Sequence, residues 1–162
     1  MLEFKGYDIA VLICEDLWDE RNLLLLNEQV FDAIISINAS PFHQDKHQLR
    51  LDLATKYSKS LGKPLIYINQ IGGQDSLVFD GSSFAIDSSG NVVLQMLNFT
   101  EDFAQIMLDE NNEIIVLDHQ NKNIEYSNNF IEQAYNTTVL GLRDYIEKNK
   151  FSRVLLGMSG GI

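Results

Sequence analysis

One cysteine in 162 residues excludes an internal disulfide, so Cys14 is either an apolar filler or a chemical group, and a reducing cytoplasm suits both. Basic charge is scarce: 12 Lys and Arg stand against 23 Asp and Glu, a net of −11. No window gathers enough of them to grip a polyanion, so nucleic acid is not an expected partner. Long apolar runs are missing too. The longest, such as Ile9 to Cys14 and Leu23 to Leu26, fall far short of the roughly 20 residues a membrane helix needs, and no membrane partner is expected. The opening Met1 to Gly6 has neither the basic start nor the apolar stretch of a secretory signal. What is present, 45% apolar residues and 10% aromatics, suffices for one ordinary core and the edge of a second unit.

The chain reads as alternating strands and helices. Tyr7 to Ile13 is a β-branched apolar run of the kind covered on both faces of a sheet, and it delivers Cys14 at its far end. A helix-length stretch with an acidic first turn follows, to about Val30. The rhythm repeats with a strand at 32–38, a turn at Ser40-Pro41-Phe42, and a helix at about 46–61 with Leu49, Leu53, Tyr57 and Leu61 predicted to face the core. Gly62-Lys63-Pro64 ends that helix, 64–69 is a third strand, and Gly72-Gly73 permits a tight loop. Short strands then follow at 78–79, 83–86 and 92–97, the last two forming a hairpin across 87–91. The stretch 98–123 looks like a lid or linker with one strand at 113–117. A helix at 127–148 carries Ile131, Tyr135, Val139, Leu142 and Ile146 at helical spacing. A strand at 151–157 and the loop Ser159-Gly160-Gly161 close the sequence.

Three strand ends concentrate the reactive side chains. Cys14 stands at a strand-to-helix junction, where the helix dipole favours a thiolate and the carboxylates of Glu15 and Asp16 oppose it. Its local sequence leaves open whether it is a nucleophile or a small buried hydrophobe. Asn38-Ala39-Ser40-Pro41-Phe42-His43 follows the second strand, where α/β proteins place ligands, although Ser40 or Asp45 could equally be a helix cap. His43 and His47 suggest a Cys–His dyad that spacing alone does not support. Asn69-Gln70-Ile71-Gly72-Gly73-Gln74-Asp75 and Val78-Phe79-Asp80-Gly81-Ser82-Ser83 form two amide- and glycine-rich segments that are either donor platforms or plain turns.

Taken together and in this order, the segments at Cys14 to Trp18, Asn38 to His43 and Asn69 to Asp75 resemble the carbon–nitrogen hydrolase (nitrilase) family. The stretch Gly72 to Phe84 is most similar to the glutaminase domain of glutamine-dependent NAD synthetases. Val139 to Tyr145 and Val154 to Ile162 resemble the opening of the synthetase domain, whose loop cradles ATP pyrophosphate. The resemblance implies an α/β fold: a partial nitrilase-like αββα sandwich over 1–123, then a helix and strand beginning a second α/β domain over 124–162.

It further implies that Cys14 attacks the side-chain amide of glutamine and that the amide of Glu15 helps hold the oxyanion. Glu15, Trp18, Ser40 and Phe42 would shape the glutamine pocket, with Glu15 and Ser40 toward the amino-acid end. Ser159, Gly160 and Gly161 would contact ATP, with Mg2+, in a complete synthetase that amidates deamido-NAD. No metal or cofactor is implied for the glutaminase part. Nitrilase-type sites also need a glutamate and a lysine far ahead of the cysteine, and 13 residues precede Cys14. A severed piece, weak as a glutaminase by itself, is therefore expected, with an open sheet edge, an exposed apolar face and self-association into a homo-oligomer. A piece needing a complementing chain and a stand-alone amidase remain the alternatives.

Overall fold

The computed structural model describes residues 1–119 and 127–160. Three parallel strands form the centre of a six-stranded sheet: β2 (Tyr7–Ile13), β3 (Ala33–Asn38) and β4 (Leu65–Asn69). β1 (Leu2–Phe4) pairs antiparallel with β2 at one edge. At the other edge β7 (Phe84–Ile86) and then β8 (Val92–Gln95) add antiparallel, giving the order β1-β2-β3-β4-β7-β8. The order of the central strands and their crossing helices agrees with the sequence reading.

Register lines the side chains into rows across the sheet. Ala10, Ile34, Leu65 and Ile86 form one row; Leu12, Ser36, Tyr67 and Phe84 form the next. Helices α1 (Glu20–Asn27) and α2 (Lys46–Leu61) lie over this face, and Leu17, Phe31, Ala54 and Tyr57 complete a core that water does not reach. Fully burying side chains of this size contributes about 1.5–3 kcal/mol each, before ordering costs. Tyr67 stacks on Phe84 with ring centroids 4.7 Å apart.

The opposite face corrects the expectation that β2 is covered on both sides. Helices pack on one side only, so Ile13, Ile37 and Ile68 are 64%, 50% and 45% exposed. The exposed apolar face expected of a partial sandwich is therefore present.

Other elements also depart from expectation. The stretch after Cys14 divides into a 3-10 turn, Cys14–Trp18, and the shorter α1. The Gly72-Gly73 pair lies inside a strand, β5 (Ile71–Gln74), which pairs with β6 (Leu77–Asp80) as a separate hairpin. The lid region holds a second hairpin of β9 (Ala104–Leu108) and β10 (Ile114–His119). Helix α2 has its predicted bounds and much of its predicted face: Tyr57 is buried and Leu53 and Leu61 pack against the core. Leu49 is half exposed, and the buried stripe is His47, Arg50, Ala54, Tyr57 and Ser58, because Arg50 finds a buried partner.

The last helix, α3 (Phe130–Lys148), is capped by the Asn129 side chain, which accepts from the amides of Ile131 and Glu132. Its predicted apolar face is turned outward: Ile131, Tyr135 and Leu142 are exposed while Gln133, Leu140 and Asp144 are buried. The cause is the β5–β6 hairpin, against which α3 packs through close glycine contacts, with Leu140 buried among polar neighbours on the same side. Residues 151–157 are exposed and form no strand, since no neighbouring strand among the described residues pairs with them. The expected boundary at 123/124 lies outside the described residues. No helix among the described residues is long and apolar enough to cross a membrane.

Candidate active site

The third row of the sheet is polar. Asn38 and Asn69 face each other across the ends of β3 and β4, in the register that pairs Ser36 with Tyr67 two positions earlier and Ile34 with Leu65 four positions earlier. Cys14 follows the adjacent end of β2, so three parallel strand ends bring together the segments singled out from sequence.

Cys14 is partly exposed and has φ 48°, a left-handed conformation that is uncommon for a residue with a side chain. The chain thus makes a sharp turn from strand into 3-10 helix at this residue. Such backbone strain persists only where the surroundings enforce it, and it concentrates at functional sites. The enforcement is visible. Asp16 Oδ2 accepts from the Ile13 amide at 2.9 Å, Asn22 Nδ2 donates to the Asp16 carbonyl at 2.9 Å, and the Tyr57 hydroxyl donates to the Asp19 carbonyl at 3.0 Å. Leu17, fully buried, anchors the turn in the core.

Behind the strand ends lies a buried ion pair that the sequence reading missed. Arg50 Nη1 meets both Asp80 carboxylate oxygens at 2.9 Å, with Arg50 fully buried and Asp80 nearly so. The remaining guanidinium donors go to the Ser40 hydroxyl at 3.2 Å, the Ser40 carbonyl at 2.8 Å and the Pro41 carbonyl at 3.1 Å. Asn69 joins the same network: its Oδ1 accepts from the Ser40 amide at 2.9 Å and its Nδ2 donates to the Gly81 carbonyl at 3.0 Å. Every group in this cluster has partners, as buried polar groups require. Its one detectable signal was an arginine on the inner stripe of an amphipathic helix, with an unassigned aspartate on a later strand.

Each predicted residue has a definite place. Ser40 is buried and its hydroxyl accepts from Arg50 Nε, so it is part of the network as well as of the turn. Phe42 packs edge-on against Phe99 at 5.4 Å, and its amide donates to the Val78 carbonyl at 2.7 Å. Trp18 lies under the Lys46 ammonium, 3.9 Å from its ring centroid. Glu15 is exposed. Burial pushes the Tyr67 hydroxyl pKa up; Arg50 and the Ser40 hydroxyl work against that, and Cys14 and Asp80 add to it. Cys14, Ser40, Tyr67, Arg50 and Asp80 therefore share one electrostatic neighbourhood.

The histidines give no support to a dyad. His43 Nδ1 lies 2.8 Å from the Gln44 carbonyl. His47 sits edge-on to Phe84, and burial, with Arg50 beside it, lowers its pKa to about 4 despite a hydrogen bond with Gln95. It is neutral near pH 7, in the core. Asp45 occupies the N-cap of α2 without a side-chain cap bond.

Ser159 and Gly160 lie on exposed backbone, and Gly161 is outside the described residues. Residues 151–160 form neither strand nor helix. A cavity of about 690 Å³ opens on the uncovered sheet face among Ile35, Ile66, Ile68, Leu94 and Phe103, and Cys14, Glu15, Trp18, Ser40 and Phe42 do not line it.

Residues 2–124 match the family model described as Carbon-nitrogen hydrolase. The chain belongs to the carbon–nitrogen hydrolase family. It is similar over its whole length to a glutamine-dependent NAD(+) synthetase of Acinetobacter baylyi, 37% identical, of which it spans 29%. A solved structure of the glutamine-dependent NAD+ synthetase from Acinetobacter baumannii, in complex with adenosine diphosphate, superposes with a TM-score of 0.81 at 31% identity. That match covers 93% of this chain and 28% of that one. An amidase of the nitrilase superfamily from Nesterenkonia AN1 shares the fold at a TM-score of 0.51 and 18% identity, over 59% of this chain and 36% of that one. As a carbon–nitrogen hydrolase the chain thus carries its family's architecture over less than a third of the length of the two synthetases.

Proposed function

We propose that this chain is the cysteine-bearing part of a glutamine-hydrolysing NAD synthetase, and that Cys14 is its glutaminase nucleophile. The observation that carries the reading is the left-handed Cys14 at the end of β2, held by Asp16, Asn22 and Tyr57 and flanked by the polar row at the other two strand ends. A sharp strand-to-helix turn presents a thiol to solvent while the opening amides of the helical turn, lacking intrahelical acceptors, face outward as donors.

The Cys14 thiolate adds to the side-chain amide carbon of glutamine, and the amide of Glu15 donates to the oxyanion that forms. The carbon–nitrogen bond breaks, ammonia leaves after taking up a proton, and a γ-glutamyl thioester remains. Water then attacks that carbon, the carbon–sulfur bond breaks, and glutamate and the thiolate are released. Trp18 and Phe42 line the pocket, and Glu15 and Ser40 face the amino-acid end of the substrate. The base for these proton transfers and a lysine are assigned to no residue of this chain, consistent with its covering 29% of the baylyi relative. ATP with Mg2+, deamido-NAD and the amidation that consumes the ammonia belong to the larger polypeptide, where Ser159, Gly160 and Gly161 would open the phosphate loop.

Ammonia release from glutamine, measured with this chain alone and with the chain joined to the segment that precedes its match in the baylyi relative, tests the proposal. The joined protein releases ammonia and its Cys14→Ala variant does not. Equal activity of the Cys14→Ala variant would remove Cys14 from the reaction, and full activity of the isolated chain would favour a stand-alone amidase.

A further inference from the structure

Asp144 and Lys148, one turn apart on α3, take both backbone groups of a single residue in the β5–β6 hairpin. The Gly73 amide donates to Asp144 Oδ2 at 2.7 Å in a buried setting, and the Gly73 carbonyl accepts from Lys148 Nζ. The approach is possible only without side chains. A Cβ on Gly73 would lie 3.0 Å from Gly141 Cα, one on Gly72 2.9 Å from Asp144 Oδ2, and one on Gly141 2.9 Å from Val78 Cγ2. Helix and hairpin, 71 residues apart in sequence at the Gly73–Asp144 bond, are thereby held at backbone contact.

The other end of the same hairpin is built into the strand-end site. Asp80 closes the buried pair with Arg50, whose other donors fix Ser40. The Gly81 amide donates to the Gln70 carbonyl at 3.0 Å, the Gln70 amide to the Asn38 carbonyl at 2.9 Å, and the Phe42 amide to the Val78 carbonyl at 2.7 Å. Hydrogen bonds of this length tolerate little displacement, so a shift of the hairpin by an ångström or so moves Ser40 and Phe42 or breaks their supports.

We propose that Asp144 and Lys148 are positioning residues for the strand-end site: by clasping Gly73, α3 fixes the hairpin that holds Ser40 and Phe42 beside Cys14. This deepens the glutaminase reading, but its test uses no glutamine, so the two can fail separately.

Cys14 is the sole cysteine, so its alkylation by iodoacetamide reports on the site without competing thiols. Asp144→Leu removes the acceptor for the Gly73 amide, whereas Asp144→Asn keeps a carbonyl oxygen in the same place. In Asp144→Leu, amide hydrogen exchange over residues 69–81 should speed up about tenfold relative to β2 and β3, and the Cys14 alkylation rate should change about threefold or more. Asp144→Asn should return both to wild-type values. A folded Asp144→Leu with faster hairpin exchange but an unchanged alkylation rate would reduce the clasp to a structural contact and overturn the proposal. Unchanged exchange over 69–81 would overturn it as well. If Asp144→Leu does not fold, Lys148→Met releases the exposed half of the clasp and takes its place in both measurements, where the same two results would overturn the proposal.

Discussion

Replacing Asp80 with Asn tests whether the Arg50 network holds the strand ends together. Arg50 is fully buried, and the change removes its carboxylate partner, losing the charge opposite two 2.9 Å contacts. Removing one member of a buried pair typically costs 3–5 kcal/mol, because the remaining charge is left uncompensated in a poor solvent. Here three neutral acceptors from Ser40 and Pro41 stay in place, and the Asn carbonyl can take one of the lost bonds. The expected cost is therefore at the low end, about 3 kcal/mol, against a total stability on the order of 5–15 kcal/mol for a domain. Urea unfolding followed by far-UV circular dichroism measures it by linear extrapolation. Arg50→Met alone strands Asp80 and the Ser40 carbonyl, and the double variant removes both charges, so the two single costs should exceed the double cost by about 2 kcal/mol or more. A cost below about 1 kcal/mol for Asp80→Asn, or additive costs in the cycle, would refute the account of the network.

Acid should destabilise the protein through His47. Its pKa is lowered to about 4 by burial and by Arg50, so between pH 6.5 and 4 the unfolded chain binds a proton that the folded chain does not. Stability falls as pH drops through that window, by about 3 kcal/mol at its foot, and His47→Gln should flatten the decline measured by urea titration at stepped pH. Leu17→Ala opens a cavity beneath the Cys14 turn and should cost about 2–5 kcal/mol in the same unfolding assay, with a change in Cys14 alkylation as the turn loosens. A loss under about 1 kcal/mol would mean that the turn is anchored elsewhere.

Much of the fold was legible because the central strands follow simple patterns. β2, β3 and β4 are β-branched runs ending in polar residues, and strand ends collect sites, so the segments at Cys14, Asn38 and Asn69 could be placed side by side from sequence alone. Helix faces were read less well where charge or glycine took over from hydrophobicity. On α2 the inner stripe includes Arg50, which a hydrophobic count assigns to solvent, and its partner Asp80 lies 30 residues away. On α3 the buried side is Gln133, Leu140 and Asp144, because close glycine contacts and backbone bonds to Gly73 replace apolar packing. The Gly72-Gly73 pair looked like a loop for the same reason: its glycines serve the approach of a helix that a local window does not contain. Residues 151–157 have strand composition but no strand to pair with among the described residues, and composition alone forms no ladder.

The central claim is that Cys14 is a glutaminase nucleophile at a built strand-end site. Its most direct test is to treat the chain joined to the preceding segment with a chloroketone analogue of glutamine and locate the adduct by peptide mass spectrometry. The account predicts one adduct, on Cys14, slowed by added glutamine and absent in Cys14→Ser. Modification that glutamine does not slow, or an adduct elsewhere with Cys14 unmodified, would contradict it.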